Sequence, residues 1–96
     1  MKTTPNPAFS IKGPDGKEMT AAGILLLCLS NPPTGGFDFA TMRARNKVAD
    51  AVEKLAPGAE ITLEDAEHAT AVEAVRAMKW TALNKDLLKF GELFGL

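Results

Sequence analysis

The chain has 96 residues, 46% of them hydrophobic and 24% charged, which suits one compact domain over residues 1–96 and excludes two cores of useful size. Its 11 basic and 12 acidic side chains give a net charge of -1, which argues against a strongly basic nucleic-acid binder and against membrane adhesion. Cys28 is the only cysteine, so no intrachain disulfide can form, and a cytoplasmic location is expected.

The N-terminal segment predicts a loose arm followed by a β-hairpin. Residues 1–7 contain two prolines and no periodicity, which is typical of an arm without regular structure. Residues 13–16, Gly-Pro-Asp-Gly, have the composition of a tight turn, because proline fixes one backbone angle and glycine accepts a positive one. A short hairpin is therefore predicted over residues 8–19.

The uncharged run Ala21 to Leu29 predicts the first helix, with Thr20 as its cap. The run is far shorter than the ~20 residues of a transmembrane helix. Its apolar side chains lie on nearly every side of the helix, which predicts a position in the middle of the core. Gly23 in its interior costs roughly 1 kcal/mol relative to alanine, and the proline-glycine segment 31–36 ends it.

A second helix is predicted from Asp38 or Thr41 to about Ala56, where Pro57 and Gly58 stop it. We expect its apolar side to face the core with Met42, Val48, Ala49, Val52 and Leu55, and its charged side to carry Arg43, Lys47, Asp50 and Lys54.

A third helix is predicted over about 63–80, because Thr62 followed by Asp65 resembles a capping box and Ile61 with Ala66 a hydrophobic staple. Its buried side would carry Ala71, Val72, Val75 and Met78.

The C-terminal residues carry the most regular apolar pattern of the chain. A helix through about the last 15 residues would place a stripe of side chains three or four residues apart on one face: Trp80, Leu83, Leu87, Phe90 and Phe94. The sequence leaves open whether this helix continues the third one, and we favour a break near residues 81–84. This stripe is either part of the protein's own core or a partner-binding surface through which the chain also self-associates. The sequence leaves both interpretations open.

Few side chains suggest chemistry. His68, the only histidine, has Val72 at i+4 and is predicted to be an exposed polar residue. Asp65 and Glu67 belong to a solvated first helical turn, which does not desolvate either carboxyl for acid–base catalysis. Cys28 lies among leucines, which keep a thiol inert. We therefore expect no catalytic residue, no metal site, no cofactor and no enzymatic activity.

Arg43, Arg45 and Lys47 form a basic cluster on the second predicted helix. They are interpreted as a solvated helix face, and the alternative is a nucleic-acid-binding regulator that uses them for phosphate contacts. No helix-turn-helix or ribonucleoprotein signature accompanies the cluster, so nucleic acid is the second hypothesis.

The segments Met42 to Asp50 and Ile61 to Glu67, followed by Trp80, resemble small proteins encoded in tailed-bacteriophage and prophage genomes. The resemblance covers residues 40–96. It implies an accessory role in virion assembly, or a small factor that binds a host protein, in the cytoplasm of a bacterial host. It transfers no functional residue.

These patterns predict an α+β, mainly α fold in which a short N-terminal β-hairpin packs on a cluster of about four helices. The expected function is a non-enzymatic protein-interaction or assembly module that forms a homo-oligomer or binds a protein through its C-terminal helix. The expected core comprises Ile24, Leu25, Leu27, Val52, Leu55, Val72, Val75 and Trp80.

Overall fold

The computed structural model describes residues 2–12, 18–33, 35–56, 58–80 and 85–96. The fold is α+β and mainly α, as predicted, with short antiparallel strand pairs beside four helices in the described residues. In chain order the elements are β1 (Lys2–Thr4), β2 (Ala8–Lys12), β3 (Glu18–Thr20), α1 (Ala21–Ser30), α2 (Phe39–Val52), β4 (Ile61–Leu63), α3 (Asp65–Ala77) and α4 (Lys85–Leu93).

Strands β2 and β3 form the predicted antiparallel hairpin. Ala8 pairs with Thr20 and Lys12 with Glu18, with a register shift along β2 between the two pairs. Strand β3 contacts α1 and β2 contacts α4, so the hairpin packs on the helices as expected. The predicted turn at residues 13–16 lies outside the described residues.

The prediction of a loose arm over residues 1–7 is wrong. Strand β1 pairs antiparallel with β4, and Thr4 faces Ile61. Asn6 is buried, its Oδ1 accepts a hydrogen bond from the backbone N–H of Ala22 at 2.8 Å, and its Nδ2 donates to the carbonyl of Ala56 at 3.5 Å. The segment is ordered because it supplies a pairing strand to β4 and an acceptor to the buried start of α1.

Helix α1 lies in the middle of the core, as its all-round apolar pattern predicts. The hydroxyl of Thr20 accepts a hydrogen bond from the backbone N–H of Gly23 at 3.1 Å, which confirms the predicted cap. Helices α2 and α3 both contact α1. The fully buried side chains around it include Ile24, Leu25, Cys28, Val48, Val52, Ile61, Leu63 and Phe90.

Four of the expected core residues are placed differently. Leu27, Leu55 and Val72 are half-buried, and Trp80 is 39% exposed. Trp80 is outside the core because α3 ends at Ala77, so the buried face of that helix does not continue to residue 80.

Helix α2 begins after Asp38, whose carboxylate accepts a hydrogen bond from the backbone N–H of Thr41 at 2.7 Å. Hydrogen bonds from Thr41 lower the pKa of Asp38. The helix ends at Val52, before the predicted Ala56, and Met42 is 41% exposed instead of facing the core.

The predicted start of the third helix is wrong. Thr62 is an exposed residue of β4, and Ile61 is buried in the same strand. The N-cap is Glu64, whose backbone N–H donates to the carboxylate of Glu67 at 3.1 Å, as in a capping box. Residues 61–63 stay extended because they pair with β1, so the helix begins only after the strand ends. Residues 78–80 are not helical, so the third and fourth helices are separate, whereas the favoured break at residues 81–84 itself lies outside the described residues.

We predict that Gly23→Ala raises the free energy of unfolding by about 0.5 to 1 kcal/mol, because it removes the entropic cost of glycine inside a helix. A Cβ at this position would meet Met19 Cε at 3.5 Å and Thr20 Oγ1 at 3.6 Å, which are ordinary contacts. Urea denaturation measures the change. Gly58→Ala is the matched control and should lower stability by about 1 kcal/mol, because Gly58 has a φ of +87°. A loss of stability with Gly23→Ala would mean that Met19 cannot accommodate the methyl group.

We predict that Glu67→Ala lowers the free energy of unfolding by about 0.5 to 1 kcal/mol, because the backbone N–H of Glu64 loses its acceptor. Thr62→Val keeps the branched shape that suits a strand and removes only the hydroxyl, so it should change stability by less than about 0.5 kcal/mol. Chemical denaturation of both variants compares the two possible caps. If Thr62→Val lowered the free energy of unfolding more than Glu67→Ala does, Thr62 would be the cap of the helix.

Candidate functional site

The aromatic part of the C-terminal stripe is core. Phe90 and Phe94 are both buried, with their rings edge to face and ring centroids 5.3 Å apart. Leu87 is half-buried and packs against the same core. The predicted partner-binding stripe is therefore not an exposed surface at these positions, because α4 uses this face to cover the rest of the fold.

The other members of the stripe do not complete it. Trp80 lies before α4 in a non-helical stretch, and Leu83 lies outside the described residues. His68, predicted to be exposed, is half-buried with its ring 6.2 Å from the ring of Phe94. The outer side of α4 carries a small aliphatic patch instead, formed by Leu88, which is 69% exposed, and Leu96, whose backbone N–H donates to the carbonyl of Gly91 at 3.0 Å.

The basic residues of α2 differ in burial, because Arg45 is buried whereas Arg43 and Lys47 are exposed. Arg45 is only 7% exposed, and its Nη1 donates to the backbone carbonyls of Cys28 at 3.4 Å, Leu29 at 3.2 Å and Asn31 at 2.8 Å. Its guanidinium also lies 5.4 Å from the centre of the Phe37 ring. The assignment of Arg45 to phosphate contacts is therefore wrong. The carbonyl of Leu29 has no helical partner, because Pro32 and Pro33 lack an N–H group, and Arg45 satisfies it. The carbonyl of Cys28 also accepts a hydrogen bond from the backbone N–H of Asn31 at 3.3 Å.

Arg43 and Lys47 remain exposed and line an open groove of about 450 Å³ between α2 and the first turns of α3. Three alanines lie between two charged rims. Arg43 and Lys47 form the basic rim on α2, whereas Glu64 and Glu67 form the acidic rim on α3. The lining residues are Ala40, Arg43, Ala44, Lys47, Glu64, Ala66, Glu67 and Thr70.

Two large apolar side chains are exposed near the start of α2, outside the set of residues that line the groove. Phe39 is 77% exposed at the first residue of α2, and Met42 follows three residues later. Arg43 is one turn from Phe39 on the helix surface. We call the surface formed by Phe39, Met42 and the groove residues the α2–α3 face.

Sequence reasoning missed the α2–α3 face because it placed Met42 inward and gave Phe39 no role. The sequence spacing nevertheless indicates which side of α2 carries Phe39. Val48 is buried, and Phe39 precedes it by nine residues, or about two and a half helical turns, which puts Phe39 on the opposite side of the helix. The side chains across the groove come from α3, and no local pattern predicts that neighbour.

The one cysteine of the chain is a buried thiol. Burial raises the pKa of the Cys28 thiol to about 12, although the Arg45 cation opposes the shift, so the thiol is protonated and inert at neutral pH. Within the described part of the chain, no group of three or more His, Cys, Asp or Glu residues could hold a metal ion. Among the helices given above, none combines the length and apolar character that crossing a membrane requires.

We predict that Arg45→Met lowers the free energy of unfolding by about 1 to 3 kcal/mol, because the carbonyls of Leu29 and Asn31 lose the guanidinium donor and that of Cys28 keeps only a backbone N–H. Arg43→Met is the matched control on the same helix and should change stability by less than about 0.5 kcal/mol, because Arg43 is exposed. Urea denaturation of both variants gives the comparison. Equal effects would contradict a capping role for Arg45.

No protein-family model, curated protein or solved structure matches this chain. We therefore infer a function from the arrangement of the residues themselves.

Proposed function

We propose that the protein is a non-enzymatic protein-interaction module that binds its partner through the α2–α3 face. The observation that carries this proposal is Phe39, an aromatic side chain that is 77% exposed next to Ala40 and one helical turn from Arg43, both of which line the groove. Burying a phenylalanine side chain contributes about 1.5 to 3 kcal/mol. Aromatic residues, Met and Arg are also the residue types enriched at protein interfaces.

The α2–α3 face replaces the C-terminal helix as the proposed contact surface. Phe90 and Phe94 stabilise the folded chain and are not accessible to a partner. The large apolar side chains exposed in the C-terminal region are Leu88, on α4, and Leu96, which follows the helix. An interface centred on a rigid aromatic side chain next to a groove is the stronger arrangement for specific binding.

Nucleic-acid binding is the second candidate, and the electrostatics of the groove weigh against it. With Arg45 buried, the basic cluster keeps only Arg43 and Lys47, and the carboxylates of Glu64 and Glu67 line the same groove. A phosphate backbone that approached this groove would meet both cations and anions, so its attraction would be weak and strongly reduced by salt.

The resemblance to small phage and prophage proteins adds a class of partner to this proposal. A virion component or a host protein would be met in the cytoplasm of an infected bacterium. A cytoplasmic setting also suits a chain whose single cysteine is a buried, protonated thiol.

We predict that Phe39→Asp abolishes partner binding without unfolding the protein, because it places a charge where an apolar side chain would be desolvated. Leu88→Asp is the matched control, since Leu88 is also a highly exposed apolar residue of a helix. Wild type and both variants are used as affinity baits in an extract of the native host, and bound proteins are compared by quantitative mass spectrometry. Circular dichroism and thermal unfolding check that both variants remain folded.

The expected result is a protein retained by the wild type and by Leu88→Asp but lost by Phe39→Asp. Loss with Leu88→Asp alone would move the interface back to α4. If duplex or single-stranded nucleic acid is retained at physiological salt and Arg43→Ala with Lys47→Ala removes it, the second candidate replaces the first.

A further inference from the structure

We propose that the partner of the α2–α3 face is a second copy of this chain, held in a two-fold symmetric dimer in which Phe39 of each copy enters the groove of the other. This inference rests on the proposed function and names its partner. A two-fold interface brings the same surface patch of both copies together, so the patch must be complementary to itself. The α2–α3 face has this property, because it carries both a projecting side chain and a groove that can receive one.

The small side chains among the groove residues suit an aromatic side chain. Ala40 and Ala44 on α2 and Ala66 on α3 leave room above the backbone where larger residues would fill the space. Met42, 41% exposed near the first turn of α2, extends the apolar surface beside Phe39. Its flexible thioether side chain adapts to the outline of a packed ring.

The charges on the rims are also complementary to themselves. Arg43 and Lys47 lie on the α2 side of the groove, whereas Glu64 and Glu67 lie on the α3 side. A two-fold rotation exchanges the two sides, so the basic rim of one copy can face the acidic rim of the other. A partner with charges of one sign would meet like charges on one rim. The net charge of -1 per chain opposes self-association only weakly.

A modest dimer would need only a small part of the surface of the chain. The folded chain exposes 6230 Å². About a tenth of this surface from each copy would reach the lower end of specific interfaces, which bury about 1,200 Å² in total. We therefore expect dimerisation in the micromolar range and a dependence on salt from the charged rims.

The experiment is analytical ultracentrifugation of the full chain over a concentration series. Wild type should shift from the 10.2 kDa monomer mass to twice that value as the concentration rises. Phe39→Asp removes the projecting ring, and Ala44→Arg fills the groove. Each should raise the dimer dissociation constant by about 30-fold or more, as for the loss of a central interface residue. Leu88→Asp should leave the dissociation constant unchanged.

Mixing the two defective variants provides the decisive measurement. A dimer with one copy of each keeps one intact contact, because the Phe39 ring of Ala44→Arg meets the open groove of Phe39→Asp. In the other contact, the carboxylate introduced by Phe39→Asp attracts the guanidinium introduced by Ala44→Arg. The mixture should therefore dimerise more tightly than either variant alone, and the mixed species can be identified by labelling one variant with a fluorophore. Circular dichroism confirms that both variants are folded.

A wild-type mass of one chain at all concentrations overturns this inference, and so does a dimer that persists in both single variants. The inference is also overturned if the mixture of the two variants dimerises no more tightly than either variant alone. These outcomes are separate from failure of the proposed function. If the wild type is monomeric but Phe39→Asp still loses a protein from the host extract, the α2–α3 face binds a different protein and only the dimer is wrong. If neither effect is seen, the proposed function fails as well.

Discussion

The burial of α1 is the constraint on which the rest of the structure depends. Like any helix, α1 leaves backbone N–H groups at one end and carbonyls at the other without helical partners, and in this 96-residue chain it lies in the middle of the core. Water cannot satisfy these groups where the helix is covered, so distant side chains must. Asn6 accepts from Ala22 at the start of the helix, and Arg45 donates to the last carbonyls. The N-terminal segment and α2 are thereby tied to opposite ends of one element.

This arrangement also determines which surfaces remain for a partner. Arg45 would have been the central cation of a basic helix face, but the end of α1 requires it. Phe90 and Phe94 are needed in the same way to complete the small core. What remains accessible on α2 is the side opposite the buried Val48, where Phe39 and Arg43 project.

The sequence predicted the features that local chemistry determines and missed those that depend on distant residues. The cap of α1 at Thr20 and the start of α2 at Asp38 follow from side chains that bond to their own backbone three residues on. Thr62 carries an equally good local signal, but pairing with β1 keeps it in a strand. Tertiary contacts override local preference there, as they do for Arg45. The candidate site was missed because its two rims come from different helices and Phe39 has no distinctive sequence motif.

The position of Phe39 is significant because the fold holds it in place. It is the first residue of α2, directly after the Asp38 cap, so the backbone beneath it is ordered by a hydrogen bond of 2.7 Å at the start of the helix. A phenylalanine side chain has few rotatable bonds, and presenting it from a capped helix reduces the entropy that binding must remove. Exposed aromatic surface contributes nothing to the stability of the isolated chain. The proposed interface is therefore centred on Phe39, whose exposed ring is held by an ordered helix.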